Sequence, residues 1–97
     1  MFLPAVVRFN AAAESVQKDR RLERMARAMG LASASDIPDA IRDMNARLGL
    51  PAGLGEMGVQ QDWFDKIITG ALADHCHKTN PRLASADEYR QMLADSL

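Results

Sequence analysis

The sequence predicts an all-α fold, a small bundle of four main helices preceded by a short N-terminal helix. Apolar residues recur at intervals of three and four along most of the 97 residues, which is the spacing of a helix face. No segment shows the strict alternation of apolar and polar residues that is typical of a strand. Glycine and proline fall between the periodic segments and divide them into separate helices.

The short helix lies in the apolar run at the N-terminus, and the first main helix follows it. A segment from about Ala12 to Met29 places several apolar residues on one face, namely Leu22, Met25, Ala26 and Met29. Gly30 stands directly after this segment, where a glycine commonly ends a helix. We therefore predict one continuous helix over residues 12–29.

The second main helix has clear signals at both ends. It is predicted to begin near Ser35 or Asp36 as the N-cap, with Pro38 in its first turn, and to end at Gly49. Its apolar face is spaced at four, three and four residues and consists of Ile37, Ile41, Met44 and Leu48.

A loop and two further helices complete the chain. Residues 50–59 contain three glycines and a proline and predict a loop with one short helical turn. Helix resumes near Gln61 and is interrupted at Asn80-Pro81, because a proline disfavours helical backbone before it. The last helix opens at residues 85–88 with a capping-box pattern. The buried residues of these two helices are predicted to be Phe64, Ile67, Ile68, Ala71, Leu72, Tyr89, Met92 and Leu93.

Composition limits the cellular setting and the partners. The formal net charge is −1, so the chain has no overall field that would attract nucleic acid or an anionic membrane. The single cysteine cannot form an internal disulfide, which favours a reducing compartment. The apolar run at residues 1–7 is too short to span a bilayer, contains Pro4 and lacks a signal-peptide pattern. We predict a cytoplasmic protein without membrane or nucleic-acid partners.

Residues 74–82, DHCHKTNPR, hold both histidines and the only cysteine. If this stretch is the last turn of a helix, His75 and His77 point about 200° apart, at roughly 100° per residue. Even on one face they would leave a zinc site short of ligands. The favoured interpretation is a helix end, where the dipole stabilises cations such as Lys78. A pocket residue is the second interpretation, and a metal site the least favoured.

Two other patterns have a plain and a functional interpretation. Cys76 lacks an oriented base, because the flanking histidines diverge, so a buried, unreactive thiol is predicted. Arg20, Arg24 and Arg27 share one helix face but alternate with acidic residues, so a solvated face with ion pairs is favoured over nucleic-acid binding.

The glycines at positions 53, 55 and 58 follow no strand and therefore do not form a phosphate-binding fingerprint. From residue types alone, no catalytic constellation and no cofactor-binding residue is predicted.

Three segments together resemble one enzyme family. They are LPAVVRFN at residues 3–10, LGLPAGLGEMGV at residues 48–59 and ALADHCHKTNPR at residues 71–82, supported by IRDMNARLGLP, GVQQDWFD and the closing ADEYRQMLADSL. In this order and spacing they resemble the C-terminal end of the iron-containing, or group III, alcohol dehydrogenases. The resemblance covers essentially the whole chain.

The resemblance implies a part of the dehydroquinate synthase-like helical domain of these enzymes. Family members bind NAD(P) in a separate nucleotide domain and hold iron or zinc through one aspartate and three histidines, and the metal polarises the substrate oxygen during hydride transfer. The last of those histidines precedes the Leu-Pro that matches residues 3 and 4. We therefore expect residues 1–97 to be the C-terminal helical portion, without metal ligands and without the nucleotide-binding domain.

The resemblance also implies a function and a pocket. The cysteine of the matching motif lies near the substrate and the nicotinamide, which assigns Cys76, with His77 beside it, to the lining of the substrate pocket. The parent enzyme would interconvert a small alcohol and its aldehyde or ketone, and this chain alone would not be catalytically competent. A truncated gene product, a misplaced start and a proteolytic fragment all remain open.

Two alternatives accompany this expectation. The first is a free-standing helical module that self-associates, because a helical part without its neighbours exposes apolar faces; a homo-oligomer is then expected. The second is a fragment of a maleylacetate reductase-like member of the same family.

Overall fold

The structure, a computed structural model, describes all 97 residues and contains six α-helices without a strand. The helices are α1 (Leu3–Asn10), α2 (Glu14–Lys18), α3 (Arg21–Ala28), α4 (Ile37–Arg47), α5 (Phe64–Ala73) and α6 (Ala86–Ala94). The all-α prediction is confirmed, and α1 is the predicted short N-terminal helix. None of the six helices combines the length and the apolar character needed to cross a bilayer.

The continuous helix predicted over residues 12–29 is wrong, because the chain breaks between α2 and α3. Arg20 adopts left-handed backbone with φ 48°, which no helix interior accommodates. The side chain of Arg21 donates to the carboxylate of Asp19 at 2.9 and 3.2 Å across this break. The break changes the packing of the predicted stripe: Ala26 is buried and Leu22 is half-buried, whereas Met25 and Met29 stay exposed.

Helix α4 begins and ends as predicted. Asp36 is its N-cap residue and Pro38 lies in its first turn, although the side chain of Asp36 does not cap this helix. That carboxylate belongs instead to the capping box of a preceding 3₁₀ turn over Ala34–Asp36, in which the hydroxyl of Ser33 accepts from the backbone of Ser35 at 3.2 Å and the N–H of Ser33 donates to Asp36 at 3.1 Å. At the other end Gly49 has φ 70°, the left-handed conformation that terminates a helix.

The loop over residues 50–59 contains the predicted short turn, a 3₁₀ turn at Gly55–Met57. The C-terminal residues lie across this loop, which the sequence did not indicate. The backbone of Leu54 donates to Ser96 at 2.7 Å, and that of Gly55 donates to Leu97 at 2.9 Å. A Cβ at Gly53 would lie 2.4 Å from the carbonyl oxygen of Leu97, so only glycine permits this approach.

The core consists of two small clusters rather than one. The first joins α1, α3 and α4 through Val7, Ala26, Ile37 and Ile41. The second joins the glycine-rich loop, α5 and α6 through Leu54, Phe64, Ile68 and Leu93. Helix α1 packs against α4 and also touches α6, which connects the two clusters.

The molecule is flat, with extents of 38 × 32 × 18 Å, and only 16 of its 97 residues are buried. Several residues predicted to be buried therefore remain at the surface. Leu48 is 66% exposed and Met44 and Leu72 are also exposed, whereas Phe64 is fully buried. Twelve large apolar side chains are exposed in total.

Candidate functional site

Residues 74–79 form a separate capped turn, so the predicted helix end is wrong. Helix α5 ends at Ala73, and Asp74 adopts extended backbone with ψ 139°. The carboxylate of Asp74 accepts from the backbone N–H of Cys76 at 2.7 Å and so caps a 3₁₀ turn over His75–Thr79. Aspartate favours such a cap over a helix interior because its short side chain reaches the backbone two residues ahead.

The two histidines of this turn face different partners. His75 is almost fully exposed, and its Nε2 lies 3.4 Å from Cys76 Sγ while its Nδ1 lies 3.8 Å from Asp74 Oδ1. His77 is half-buried, and its Nδ1 lies 3.0 Å from the hydroxyl of Tyr89 on α6. The prediction that Cys76 lacks a neighbouring imidazole is therefore wrong, because that of His75 lies beside its thiol.

Cys76 is exposed, so the prediction of a buried thiol is also wrong. The 3₁₀ turn is the physical reason, because it projects residues 74–76 into solvent, away from α5. A hydrogen bond with the side chain of Asp74, followed by the negative charge of that carboxylate and some desolvation, raises the pKa of the Cys76 thiol. The thiol is therefore protonated at neutral pH and is a weak nucleophile, despite its histidine neighbour.

The side chains of Asp74, His75 and Cys76 offer one oxygen, one nitrogen and one sulfur within 4.8 Å of one another. This mixed set differs from the one aspartate and three histidines that the family resemblance implies for its metal. His77 does not belong to this set, and its Nδ1 lies 3.0 Å from the hydroxyl of Tyr89 instead. The residues of this chain thus do not fit that metal centre, and no step is assigned to a metal on this turn.

The segment after the turn fastens it to α1. The side-chain amides of Asn80 and Asn10 exchange two hydrogen bonds of 2.7 and 3.1 Å. The guanidinium of Arg82 lies 4.1 Å above the ring of Phe9 and donates to the carbonyl of Phe9 at 3.3 Å. It also forms an ion pair with Glu88 on α6. These contacts hold the candidate site between α1 and α6.

Glu88 belongs at the same time to the cap of α6. Its carboxylate accepts from the backbone of Ser85 at 2.9 Å, while the hydroxyl of Ser85 accepts from the backbone of Glu88 at 3.2 Å, which confirms the predicted capping box. The hydrogen bond from the Ser85 backbone, together with the charge of Arg82, lowers the pKa of the Glu88 carboxyl.

An apolar cavity of about 260 Å³ lies beside the turn, between α1, α5 and α6. Nine of its ten lining residues are hydrophobic, among them Phe2, Ile67, Tyr89 and Met92. The ring of Tyr89 lines the cavity, and its hydroxyl reaches His77. Tyr89 is thus the residue that joins the cavity to the turn, although its spacing marked it only as a core residue.

The predicted ion pairs of the arginine face are not formed. Arg20, Arg24 and Arg27 are exposed and take part in none of the salt bridges of the chain, and Asp19 pairs with Arg21 instead. The break at Arg20 removes the regular helix face on which the predicted pairing depended.

Comparison with known proteins places these features in context. A family-wide profile described as "Fe-containing alcohol dehydrogenase family, C-terminal" matches residues 1–97. A 4-hydroxybutyrate dehydrogenase of Cupriavidus necator is 58% identical over 95 residues, which cover 98% of this chain and 25% of that protein. An NAD-dependent methanol dehydrogenase of Bacillus methanolicus is 28% identical over 103 residues, covering 98% of this chain and 26% of that protein.

A third relative is the bifunctional aldehyde-alcohol dehydrogenase of Escherichia coli K12, which is 32% identical over 92 residues that cover 82% of this chain and 10% of that protein. The chain thus spans about a quarter, or less, of the length of these relatives. No solved structure matches the chain.

Proposed function

The chain belongs to the iron-containing alcohol dehydrogenase family, and we propose that it is the C-terminal helical part of an NAD(P)- and metal-dependent dehydrogenase acting on a small hydroxy acid. The observation that carries the substrate class is the 58% identity, across 98% of this chain, to a protein described as a 4-hydroxybutyrate dehydrogenase. A small alcohol without a carboxylate is the broader class, supported by the methanol dehydrogenase relative. A cytoplasmic location is part of the proposal and agrees with one free, exposed thiol.

In this proposal Cys76 and His77 line the substrate pocket. Both sit on a turn that is fixed at its start by the Asp74 cap and beyond its end by the Asn80–Asn10 amide pair. A turn held at both ends presents side chains in a fixed geometry, which is what a substrate-positioning surface requires. The bound NAD(P) supplies the hydride chemistry in such an enzyme, and the residues of this chain shape the surface against which the substrate lies.

The metal and the nucleotide are assigned to the remainder of the enzyme. The donor set on the turn does not fit the family's metal, so we expect the isolated 97 residues to show no turnover of NAD(P)H with short aldehydes. The assay is made with added iron or zinc, and steady oxidation of NAD(P)H by the purified chain would overturn this part of the proposal.

The dehydrogenase proposal is tested with a chimeric enzyme, called the graft below. In it the C-terminal quarter of the Cupriavidus necator enzyme is replaced by residues 1–97, and NAD reduction is followed with 4-hydroxybutyrate as the substrate. A matched control graft carries Gly53→Ala, which disturbs the fold of the segment without touching the turn. Activity in the first graft and its loss in the control supports the proposal, whereas a folded but inactive first graft contradicts it.

A second function, self-association, has its own supporting observation. Large apolar side chains are exposed on several elements, with Leu48 66%, Leu83 62% and Met57 58% exposed. Covering such surface is favourable by roughly 25 cal/mol per Å² of apolar area. We expect the isolated chain to form a dimer or a larger homo-oligomer. Light scattering at micromolar concentration tests this, and a single monomeric species would contradict it.

A further inference from the structure

The ring of His77 is held by a residue outside the turn. Its Nδ1 lies 3.0 Å from the hydroxyl of Tyr89, and the two ring centroids lie 5.7 Å apart at 46°. Tyr89 in turn packs against the second core cluster, which contains the fully buried Phe64. The orientation of the imidazole is therefore fixed by the core rather than by the turn alone.

The other ring nitrogen of His77 remains available. Nε2 makes no hydrogen bond within the chain, and no buried side-chain nitrogen or oxygen lacks a partner, so this atom is accessible from outside. The side chain of Lys78 follows it, is exposed and forms no salt bridge. The turn thus carries one free imidazole nitrogen and one free ammonium group.

We propose that His77 binds the carboxylate of the hydroxy-acid substrate through Nε2–H, and that Tyr89 is the residue that positions it. When the Tyr89 hydroxyl donates to Nδ1, the proton of the neutral imidazole is on Nε2, which becomes a hydrogen-bond donor. A carboxylate accepts hydrogen bonds and donates none, so this tautomer matches it. The proposal rests on the function proposed above and gives a residue basis for its substrate class.

Two charged side chains of the turn bear on this assignment. The carboxylate of Asp74, which would repel a substrate carboxylate, is engaged with the backbone N–H of Cys76. Lys78 is exposed and forms no salt bridge, so its positive charge adds to the attraction of the turn for an anion. An uncharged alcohol offers the Nε2–H group no carboxylate, so the two substrates differ by one charge-assisted hydrogen bond.

The tautomer is tested on the 97-residue chain by nitrogen-15 NMR of the imidazole. In the unsubstituted chain we expect the proton on Nε2, and in Tyr89→Phe an exchange between the two tautomers. A proton on Nδ1 in the unsubstituted chain would overturn the positioning role of Tyr89.

The binding role is tested in the graft with 4-hydroxybutyrate and with 1-butanol, which has the same carbon chain without the carboxylate. We expect His77→Leu and Tyr89→Phe to raise the KM for 4-hydroxybutyrate by roughly tenfold or more, and to affect the KM for butanol much less. His77→Gln retains an N–H donor and should recover part of the affinity.

The outcomes separate the two proposals. A graft that is inactive before any substitution contradicts the proposed function. An active graft in which the substitutions leave both substrates unaffected, or weaken both equally, contradicts the role of His77 and leaves the function standing. A larger loss with 4-hydroxybutyrate than with butanol supports both.

Discussion

Gly53 should be indispensable for the docking of the C-terminus. A Cβ added at this position would lie 2.4 Å from the carbonyl oxygen of Leu97, 2.8 Å from its carbonyl carbon and 3.0 Å from the oxygen of Ser96. These are backbone atoms, which cannot rotate away as the end of a flexible side chain can. The substitution Gly53→Ala must therefore displace the C-terminal residues from the loop.

The cost of this displacement follows from the contacts that are lost. Two backbone hydrogen bonds, from Leu54 to Ser96 and from Gly55 to Leu97, break when the C-terminus moves. Each contributes about 1 kcal/mol net, and overpacking without movement costs about 1–3 kcal/mol. We expect Gly53→Ala to lower the free energy of unfolding by about 2–3 kcal/mol, a large share of the total for a domain of this size.

Urea denaturation followed by circular dichroism measures this effect. With a slope of about 1–3 kcal/mol per molar urea, the midpoint should fall by about 0.7–3 M. The matched control is Gly70→Ala, since a Cβ at this helical glycine meets nothing within 4 Å and should stabilise the chain by about 0.5–1 kcal/mol.

Removal of Ser96 and Leu97 provides the second control for Gly53→Ala. In the shortened chain the clash no longer exists, so the same substitution should change the midpoint little. An unchanged midpoint for Gly53→Ala in the full chain, or an equal loss in the shortened chain, would refute the explanation.

Three further outcomes are expected. Ser85→Ala removes the cap of α6 and should lower the free energy of unfolding by about 1 kcal/mol, or Tm by roughly 4–8 °C. Ser15→Ala removes an exposed hydroxyl that caps no helix and should change Tm little, and equal effects of the two substitutions would contradict the role of the cap. The pKa of Glu88 is lowered in the folded chain, so its carboxylate contributes stability above the ordinary pKa of 4.5, and this stability is lost as the pH falls towards the pKa in the folded chain. In Glu88→Gln the urea midpoint should therefore fall less steeply with pH below 4.5 than in the unsubstituted chain. Asp74→Asn keeps a cap but removes the charge that raises the pKa of the Cys76 thiol. Alkylation of Cys76 by iodoacetamide should therefore become faster at neutral pH, and an unchanged rate would contradict the assigned cause.

Local signals in the sequence predicted the parts of the fold that depend on neighbouring residues. Three features lie where the sequence pattern predicted them: the capping box at Ser85, the glycine that ends α4 at Gly49, and Pro38 in the first turn of α4. The buried pair Phe64 and Ile68 follows from helical spacing alone. These features are predictable because each is determined within about one turn of helix.

Competing local interactions explain the errors. Asp74 forms a cap that outcompetes a longer helix, and the spacing of apolar residues contains no information on this competition. The break at Arg20 has no glycine or proline to announce it. The exposure of Cys76 follows from the turn that Asp74 begins, so the two errors have one origin.

The contacts that build the candidate site are separated widely along the chain. Asn10 meets Asn80 at a separation of 70 residues, and Phe9 meets Arg82 at a separation of 73. His77 and Tyr89 belong to different elements and share no spacing pattern. Such pairs depend on how the helices pack, which spacing along the chain does not reveal. Only the family resemblance therefore pointed to residues 74–82 as a candidate site.

The proposed function depends above all on the rate of NAD reduction by the graft of residues 1–97 onto the Cupriavidus necator enzyme. We predict that kcat/KM for 4-hydroxybutyrate remains within about tenfold of the parent enzyme, a change of about 1.4 kcal/mol in transition-state stabilisation. A folded graft that binds NAD and metal but oxidises butanol and not 4-hydroxybutyrate would contradict the substrate class. A folded graft without any alcohol oxidation would contradict the assignment of this chain to the dehydrogenase itself.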